Sequence, residues 1–300
     1  MPRPHTWRRA TLVTGQIIIG LQVGSWYALI ALAVVLVLKS TDIPNFAMAS
    51  MGVLPAYLVW TLTSSEDTAW GYFPSVFLAL AVGVAFAVGV ERILIRPILT
   101  QSHFTTVLMT IGLLVIITSV VDLIWTPRPR AIESPFNVSF VAGGHIVNGE
   151  QVLSVLVGIA TAVLLAIFFR TPTGLEMRAL AEDRVTPRLL GISVGRIMSI
   201  SWGLSGLIAA TALILQSQAT VLTAQTATTL VMSGFVAAAV GGFTSTTGAF
   251  VGGLCLGVLE SIVGSQLGTE SVAAVSFVVV FAVLMVRPEG FFAQPKPRQL

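Results

Sequence analysis

The sequence predicts an all-α polytopic membrane protein with about eight or nine transmembrane segments, some of them broken or re-entrant. Three observations carry this. Apolar residues make up 55% of the 300 residues and charged residues only 10%, where a soluble globular chain carries about 25% charged. The mean hydropathy is +0.92. Apolar runs recur with short connections, and since one crossing takes about 20 apolar residues, no large soluble domain fits beside them.

In order along the chain, apolar segments fall at 15–38, 43–62, 73–95, 103–124, 151–169, 197–217, 227–241, 248–264 and 271–286. The first follows Arg3, Arg8 and Arg9 and contains Ala31-Leu32-Ala33, which imitates a signal peptide. It runs on to Leu38, longer than a signal core, and is expected to be a retained helix. The second carries Pro44, Gly52 and Pro55, and the seventh and eighth flank Gly241-Gly242. Lipid tolerates such breaks only where protein or a cavity satisfies the freed backbone, so both places are expected to be central.

Short loops carry the orientation signal. The loops 92–102, 170–196 and 287–300 hold Arg92, Arg96, Arg170, Arg178, Arg184, Arg188, Arg196, Arg287, Lys296 and Arg298, against Arg128 and Arg130 opposite. The basic set is expected on the cytoplasmic side, with a cytoplasmic C-terminal tail at 287–300. Residues 1–63 fit two arrangements. In one, 15–38 and 43–62 both cross and the N-terminal tail 1–14 lies outside. In the other, 43–62 dips in and returns and the tail lies inside, which charge alone slightly favours.

Two loops are long. In 125–150, alternation at Phe136, Val138 and Phe140, the pair Gly143-Gly144 and then Ile146-Val147 predict a small extracytoplasmic hairpin. In 170–196, Pro172 and Gly174 precede a charged stretch with Leu175, Ala179, Leu180 and Leu189-Leu190 that closes at Gly191. This pattern predicts an amphipathic helix on the cytoplasmic face.

Several function classes are excluded. A net charge of +3 from scattered residues offers no nucleic-acid surface. The single cysteine, Cys255, permits no intrachain disulfide or thiolate cluster and is expected to be a buried structural thiol. His5, His103 and His145 share no ligand spacing, and GxxxxGK[ST], GxSxG and HExxH are absent. Neither a metal site nor a catalytic centre is expected, and an intramembrane enzyme has no paired acid, base or nucleophile to support it.

At 174–196 the run GLEMRALAEDRVTPRLLGISVGR resembles the cytoplasmic coupling loop of the LivH-type permeases of branched-chain amino acid ABC importers. The likeness lies in Gly174, Arg178-Ala179, Ala181-Glu182-Asp183, Leu189-Leu190-Gly191-Ile192 and Arg196. Three further stretches agree in order: Gly20, Gly24-Ser25 and Tyr27 to Leu32 in the first segment; GGFTSTTGAFVGGLCLG at 241–257; and the closing Arg287-Pro288-Glu289-Gly290-Phe291-Phe292. The family's Asn-Phe-Ala-His-Gly stands here as Asn45-Phe46-Ala47-Met48-Ala49, and Thr244 and Thr247 replace a usual Gly and a common Pro. A pathway lined by the first of these breaks has lost an imidazole and gained apolar bulk.

The resemblance implies a non-catalytic transport subunit in a prokaryotic cell membrane, with 15–286 as its permease domain. The expected partners are two cytoplasmic ABC ATPases, a second homologous permease, an extracytoplasmic substrate-binding protein and the lipid bilayer. No cofactor is expected in this chain, with ATP and Mg in the partner subunits. Gly174, Leu175, Arg178, Ala179, Glu182, Asp183, Leu189, Leu190 and Gly191 are the candidates for ATPase coupling. Gly24, Ser25, Tyr27, Asn45, Phe46 and Met48 are the candidates for the substrate pathway, where polar atoms would recognise an ammonium, carboxylate or amide. Gly241, Gly242, Gly248, Gly252 and Gly253 are the candidates for close helix packing. Among other intramembrane polar groups, Gln16 and Gln22 could pack or recognise. Glu260 and Asp122 are expected near membrane boundaries, and an essential Glu260 would mark the alternative, a secondary transporter driven by a proton or cation gradient.

Overall fold

The computed structural model describes residues 5–64, 70–99, 101–136, 138–142, 145–182, 187, 191–268 and 270–292, with side-chain environments from Thr14 onward. The elements are α1 (His5–Thr41), α2 (Met48–Ser64) and α3 (Tyr72–Val90), the last continued by a π-helical turn (Glu91–Ile95) into a short α4 (Arg96–Ile98). Next come α5 (His103–Trp125), β1 (Ser139–Ala142), β2 (His145–Asn148), α6 (Gly149–Phe168) and α7 (Pro172–Glu182). The chain closes with α8 (Val194–Ala219), α9 (Ala224–Gly241), α10 (Thr246–Leu267) and α11 (Ser271–Val286). Seven helical stretches are long and apolar enough to cross a membrane, the first from Thr14 to Thr41, and α2 and α11 are shorter.

Contacts at the helix ends fix their directions. Gly15 lies against the His145 ring, while Lys39 sits 5.0 Å over the Phe169 ring, so α1 runs from the hairpin end of the bundle to the α7 end. The Phe46 amide donates to Thr110 Oγ1 (3.4 Å) and Trp125 Nε1 to Thr61 Oγ1 (2.7 Å), so α2 runs back beside α5 toward the hairpin end. Phe73 meets Phe136 at one end of α3 and Arg96 reaches the Gly195 carbonyl at the other. The start of α9 bridges to Arg130, and Phe292 donates to Gly241 at its far end. Among the described residues, α1, α2, α3, α5, α6, α8, α9, α10 and α11 thus alternate in direction. The opposed directions of α1 and α2 are those of the arrangement in which both segments cross, rather than of the dipping segment that charge slightly favours. Counting Arg3, Arg8 and Arg9 registers a surface potential, but it cannot register that the Asp42–Ala47 turn sits at the α7 end.

The core is built on α1. Its most intimate membrane window is 78% buried, against 17% for α6, and every residue from Ala28 to Val37 is at most 1% exposed. An all-round apolar helix has no polar stripe to turn outward and so takes the centre. Glycines let backbones approach it. Gly24 on α1 faces the Leu254 Cα, and Gly253 and Gly257 on α10 face Ala28 and Gly24, so Gly20-x-x-x-Gly24 and Gly253-x-x-x-Gly257 lock antiparallel. Ser201 on α8 donates to the Leu36 carbonyl (2.8 Å). The rim carries exposed Leu123, Leu164, Phe277 and Phe281.

Caps mark the helix starts: Ser102 accepts from Thr105 (3.2 Å), Thr223 from Thr226 (3.2 Å) and Ser245 from Gly248 (3.0 Å). The hairpin pairs Phe140 with Val147 and Val141 with Ile146. Its connecting residues Gly143 and Gly144 lie outside the described residues. Cys255 is exposed on the outer face of α10, correcting the expectation of a buried thiol. Gly253 and Gly257 claim the side of the helix that meets α1, and a thiol two residues from each is turned away from that seam.

Candidate functional site

The coupling candidates lie on and after α7. Gly174, Met177 and Leu180 are buried, and Leu175, Arg178 and Glu182 are exposed. This is the three-to-four-residue spacing that separates two faces of a helix. Gly174 lies against Phe168 and Phe169, where a Cβ would meet the Phe169 Cα at 2.6 Å, so the helix is seated directly on the end of α6. Arg178 and Lys39 both stack on the Phe169 ring, with charge centres 5.3 and 5.0 Å from its centroid. The buried face is thus tied to α6 and α1, while the outward face presents one leucine and both signs of charge. Ala179 is half-buried between the faces, and Gly191 adopts a left-handed backbone (φ 82°). Asp183, Leu189 and Leu190 lie outside the described residues.

The substrate-pathway candidates divide into two groups. Gly24 and Ser25 sit in helix interfaces: Ser25 bonds the Leu21 carbonyl (2.7 Å) and packs on Gly158 of α6. Asn45, Phe46 and Met48 lie at the break between α1 and α2, while Tyr27 stands within α1 and donates to Glu260 of α10. The chain leaves α1 through Asp42 at φ 59°, and fully buried Asn45 closes a local turn by accepting from the Ala47 amide (2.9 Å). Asn45 Nδ2 reaches Met51 Sδ (3.7 Å), Met48 is buried, and Phe46 stacks on Phe235 of α9 with centroids 4.5 Å apart. Freed backbone in the bundle is therefore answered by Asn45 of the break itself and by Thr110 of α5.

The packing glycines other than Gly253, which lies against Ala28 of α1, converge at the α7 end. Gly241 and Gly248 face each other backbone to backbone, and Gly252 faces Ala237 and Gly241. Gly242 turns the chain at φ 99°, and Gly290, at φ 89°, lies on it so closely that a Cβ there would meet the Gly242 Cα at 2.5 Å. Phe291 and Phe292 then donate to the Val240 and Gly241 carbonyls (3.0 and 3.1 Å). Two motifs nearly 50 residues apart in sequence form one knot.

Two polar centres hold pairings that the sequence did not disclose. Glu260 is 4% exposed, held between helices. Tyr27 donates to its Oε2 (2.7 Å) and Ser276 to its Oε1, drawing α1, α10 and α11 together. The second centre is Glu91, which is fully buried in the π-helical turn. Arg96 Nε and Nη2 donate to it at 2.8 and 3.1 Å, Ser199 Oγ donates at 2.8 Å, and Arg96 also holds the Gly195 carbonyl. The π turn is what makes the pair: its i→i+5 geometry brings residues five apart over one another, whereas an α-helix pairs residues three or four apart. A Glu and an Arg spaced by five, just before Pro97, is the only trace of this in the sequence.

Residues 16–287 match the family model described as the branched-chain amino acid transport system permease component. The chain is 29% identical to the high-affinity branched-chain amino acid transport system permease protein LivH of Salmonella typhimurium, over 92% of this chain and 94% of that protein. It is 29% identical to the corresponding protein BraD of Pseudomonas aeruginosa, over 94% and 96%. With a probable branched-chain amino acid transport permease protein LivH of Methanocaldococcus jannaschii it shares 25% identity over 87% of both chains. The bundle of apolar helices, the seated α7 and a match running nearly end to end place this multi-pass membrane chain in the branched-chain amino acid transport permease family.

Proposed function

We propose that this chain is the transmembrane permease subunit of an ABC importer for branched-chain or related small amino acids or amides. In this reading the α7 end is cytoplasmic. Among the described residues, Lys39, Arg92, Arg96, Arg170, Arg178, Arg196 and Arg287 lie at that end and Arg8, Arg9, Arg128 and Arg130 at the other, in keeping with the bias of cytoplasmic loops toward Lys and Arg. The C-terminus is then inside, the N-terminus outside, and the hairpin faces a substrate-binding protein.

The observation that carries the reading is the two-faced α7. The chain has no phosphate-binding loop and cannot hydrolyse ATP, so the work must arrive from another subunit. Gly174, Met177 and Leu180 fasten the helix to the bundle, and exposed Leu175 and Glu182, with Arg178 stacked on Phe169 beside them, face outward toward an ATPase. A push on that face moves α6 and α1 together through Phe169 and Lys39. Access to the central path then alternates as ATP binding favours one of two packings. ATP and Mg are held entirely by the two ATPases, and a second homologous permease completes the path.

The test is gentle solubilisation from the native membrane followed by mass spectrometry of what stays bound. Recovery with two P-loop ATPases and a second permease supports the reading. Repeated recovery of the chain alone, in detergent that keeps other complexes intact, overturns it. The second reading, a proton- or cation-driven secondary transporter, draws on the buried Glu260; full transport by a Glu260→Gln variant removes it.

A further inference from the structure

At the hairpin end, α5 and α9 diverge around a cavity of about 310 Å³ lined by Thr118, Asp122, Pro127, Thr223, Ala224 and Gln225. It is open to the surface, and its volume is at the lower end of the range that holds small ligands. Asp122 stands on α5 one turn before the helix ends, half-buried, and among the described residues no cation pairs with it. Arg130 is engaged elsewhere, lying 4.3 Å over the Trp60 ring and donating to the Trp125 carbonyl (3.4 Å). Tyr57, whose ring lies 5.3 Å from that of Trp125 one turn on from Asp122, has a buried hydroxyl without a hydrogen-bond partner among the described residues.

An uncompensated carboxylate at the edge of an apolar bundle is costly unless a cation or water meets it. The walls add hydroxyl groups from Thr118 and Thr223 and the amide of Gln225, which solvate a small polar guest without neutralising it. We infer that this cavity is a receiving site at the outer end of the permease that takes the ammonium group of a small amine-bearing substrate, with Asp122 as its counter-charge. The inference deepens the reading of the chain as an amino acid permease. It places the first polarity filter outside the buried break at Asn45, on a pair of helices that also hold that break: Thr110 of α5 accepts from Phe46, and Phe235 of α9 stacks on it.

The site is testable without transport. In a Cys255→Ser background, exposed Gln225 is replaced by Cys in the purified, lipid-reconstituted chain. Its modification by a trimethylammonium-bearing thiosulfonate is then compared with that by a sulfonate-bearing one. The cationic reagent should react at least about tenfold faster after normalisation to a free thiol in solution, as expected for a focused negative potential in a low-dielectric cleft. The preference should collapse toward unity in Asp122→Asn and persist in Asp122→Glu. Reagent rates that match the free thiol, or a preference unchanged by Asp122→Asn, overturn the inference. Because the readout is charge selectivity at one thiol, it stands or falls independently of whether ATPases co-purify.

Discussion

Replacing Gly253 by Ala probes the seam between α1 and α10. The added Cβ would fall on the Ala28 backbone, with its amide nitrogen and its Cα, the latter at 2.5 Å, both inside any real contact distance, and with the Ala28 Cβ at 2.8 Å. Backbone atoms of a helix buried on all sides cannot rotate away, so the helices must separate. Overpacking of this kind costs about 1–3 kcal/mol, and the seam lies at the upper end because Gly257 and Gly24 are in equal contact one turn away. Gly89→Ala is the internal control: nothing lies within 4 Å of its Cβ, and the helix-propensity gain of up to about 1 kcal/mol makes it neutral or stabilising. Equilibrium unfolding in mixed detergent micelles should therefore separate the two variants by about 2–4 kcal/mol. Adding Ala28→Gly to Gly253→Ala should restore less than half of the loss, because it removes only the side-chain clash. Equal stability of Gly253→Ala and Gly89→Ala, or full rescue by Ala28→Gly, would refute the backbone-contact argument.

Further outcomes concern the polar centres and α7. Arg96→Ala should destabilise the chain more than Glu91→Gln does, by about 1–2 kcal/mol in the same unfolding assay, because it strands a fully buried carboxylate while the reverse change releases an arginine that is 41% exposed. Tyr27→Phe should cost about 1.5–3 kcal/mol by removing a donor from buried Glu260; a loss below 0.5 kcal/mol, roughly the floor for any intramolecular hydrogen bond, would show the pair to be unimportant. On α7, Met177→Ser should lower stability by about 2–4 kcal/mol as a buried large-to-small change. Leu175→Ser should leave stability within about 0.5 kcal/mol, as for an exposed surface position, yet reduce substrate-stimulated ATP hydrolysis in the assembled importer. A Leu175→Ser complex with normal coupling would detach the outward face of α7 from that role.

What could be read without coordinates follows from the solvent. In lipid, every backbone group must be bonded within its own segment, so hydropathy alone laid out each crossing, and the loss of helical signal at Pro44 and at Gly241-Gly242 located the breaks. The amphipathic α7 and the hairpin were equally local, set by residue spacing over a dozen positions. Relations between segments were not. The direction of α1 depends on the Gly15 and Lys39 contacts, and the two charge arrangements for residues 1–63 differ in that direction and in whether 43–62 crosses. Glu260 became central because α1 and α11 close over it with Tyr27 and Ser276, a fact no window around residue 260 contains. Glu91 and Arg96 meet only because the helix takes one π turn, and the closing Gly290 meets Gly242 only because α10 and α11 fold the chain back. Composition and periodicity are sums over neighbours in sequence, whereas pairing, burial and cavity formation are set by which helices share a seam, and here that choice rests on where glycine allows two backbones to touch.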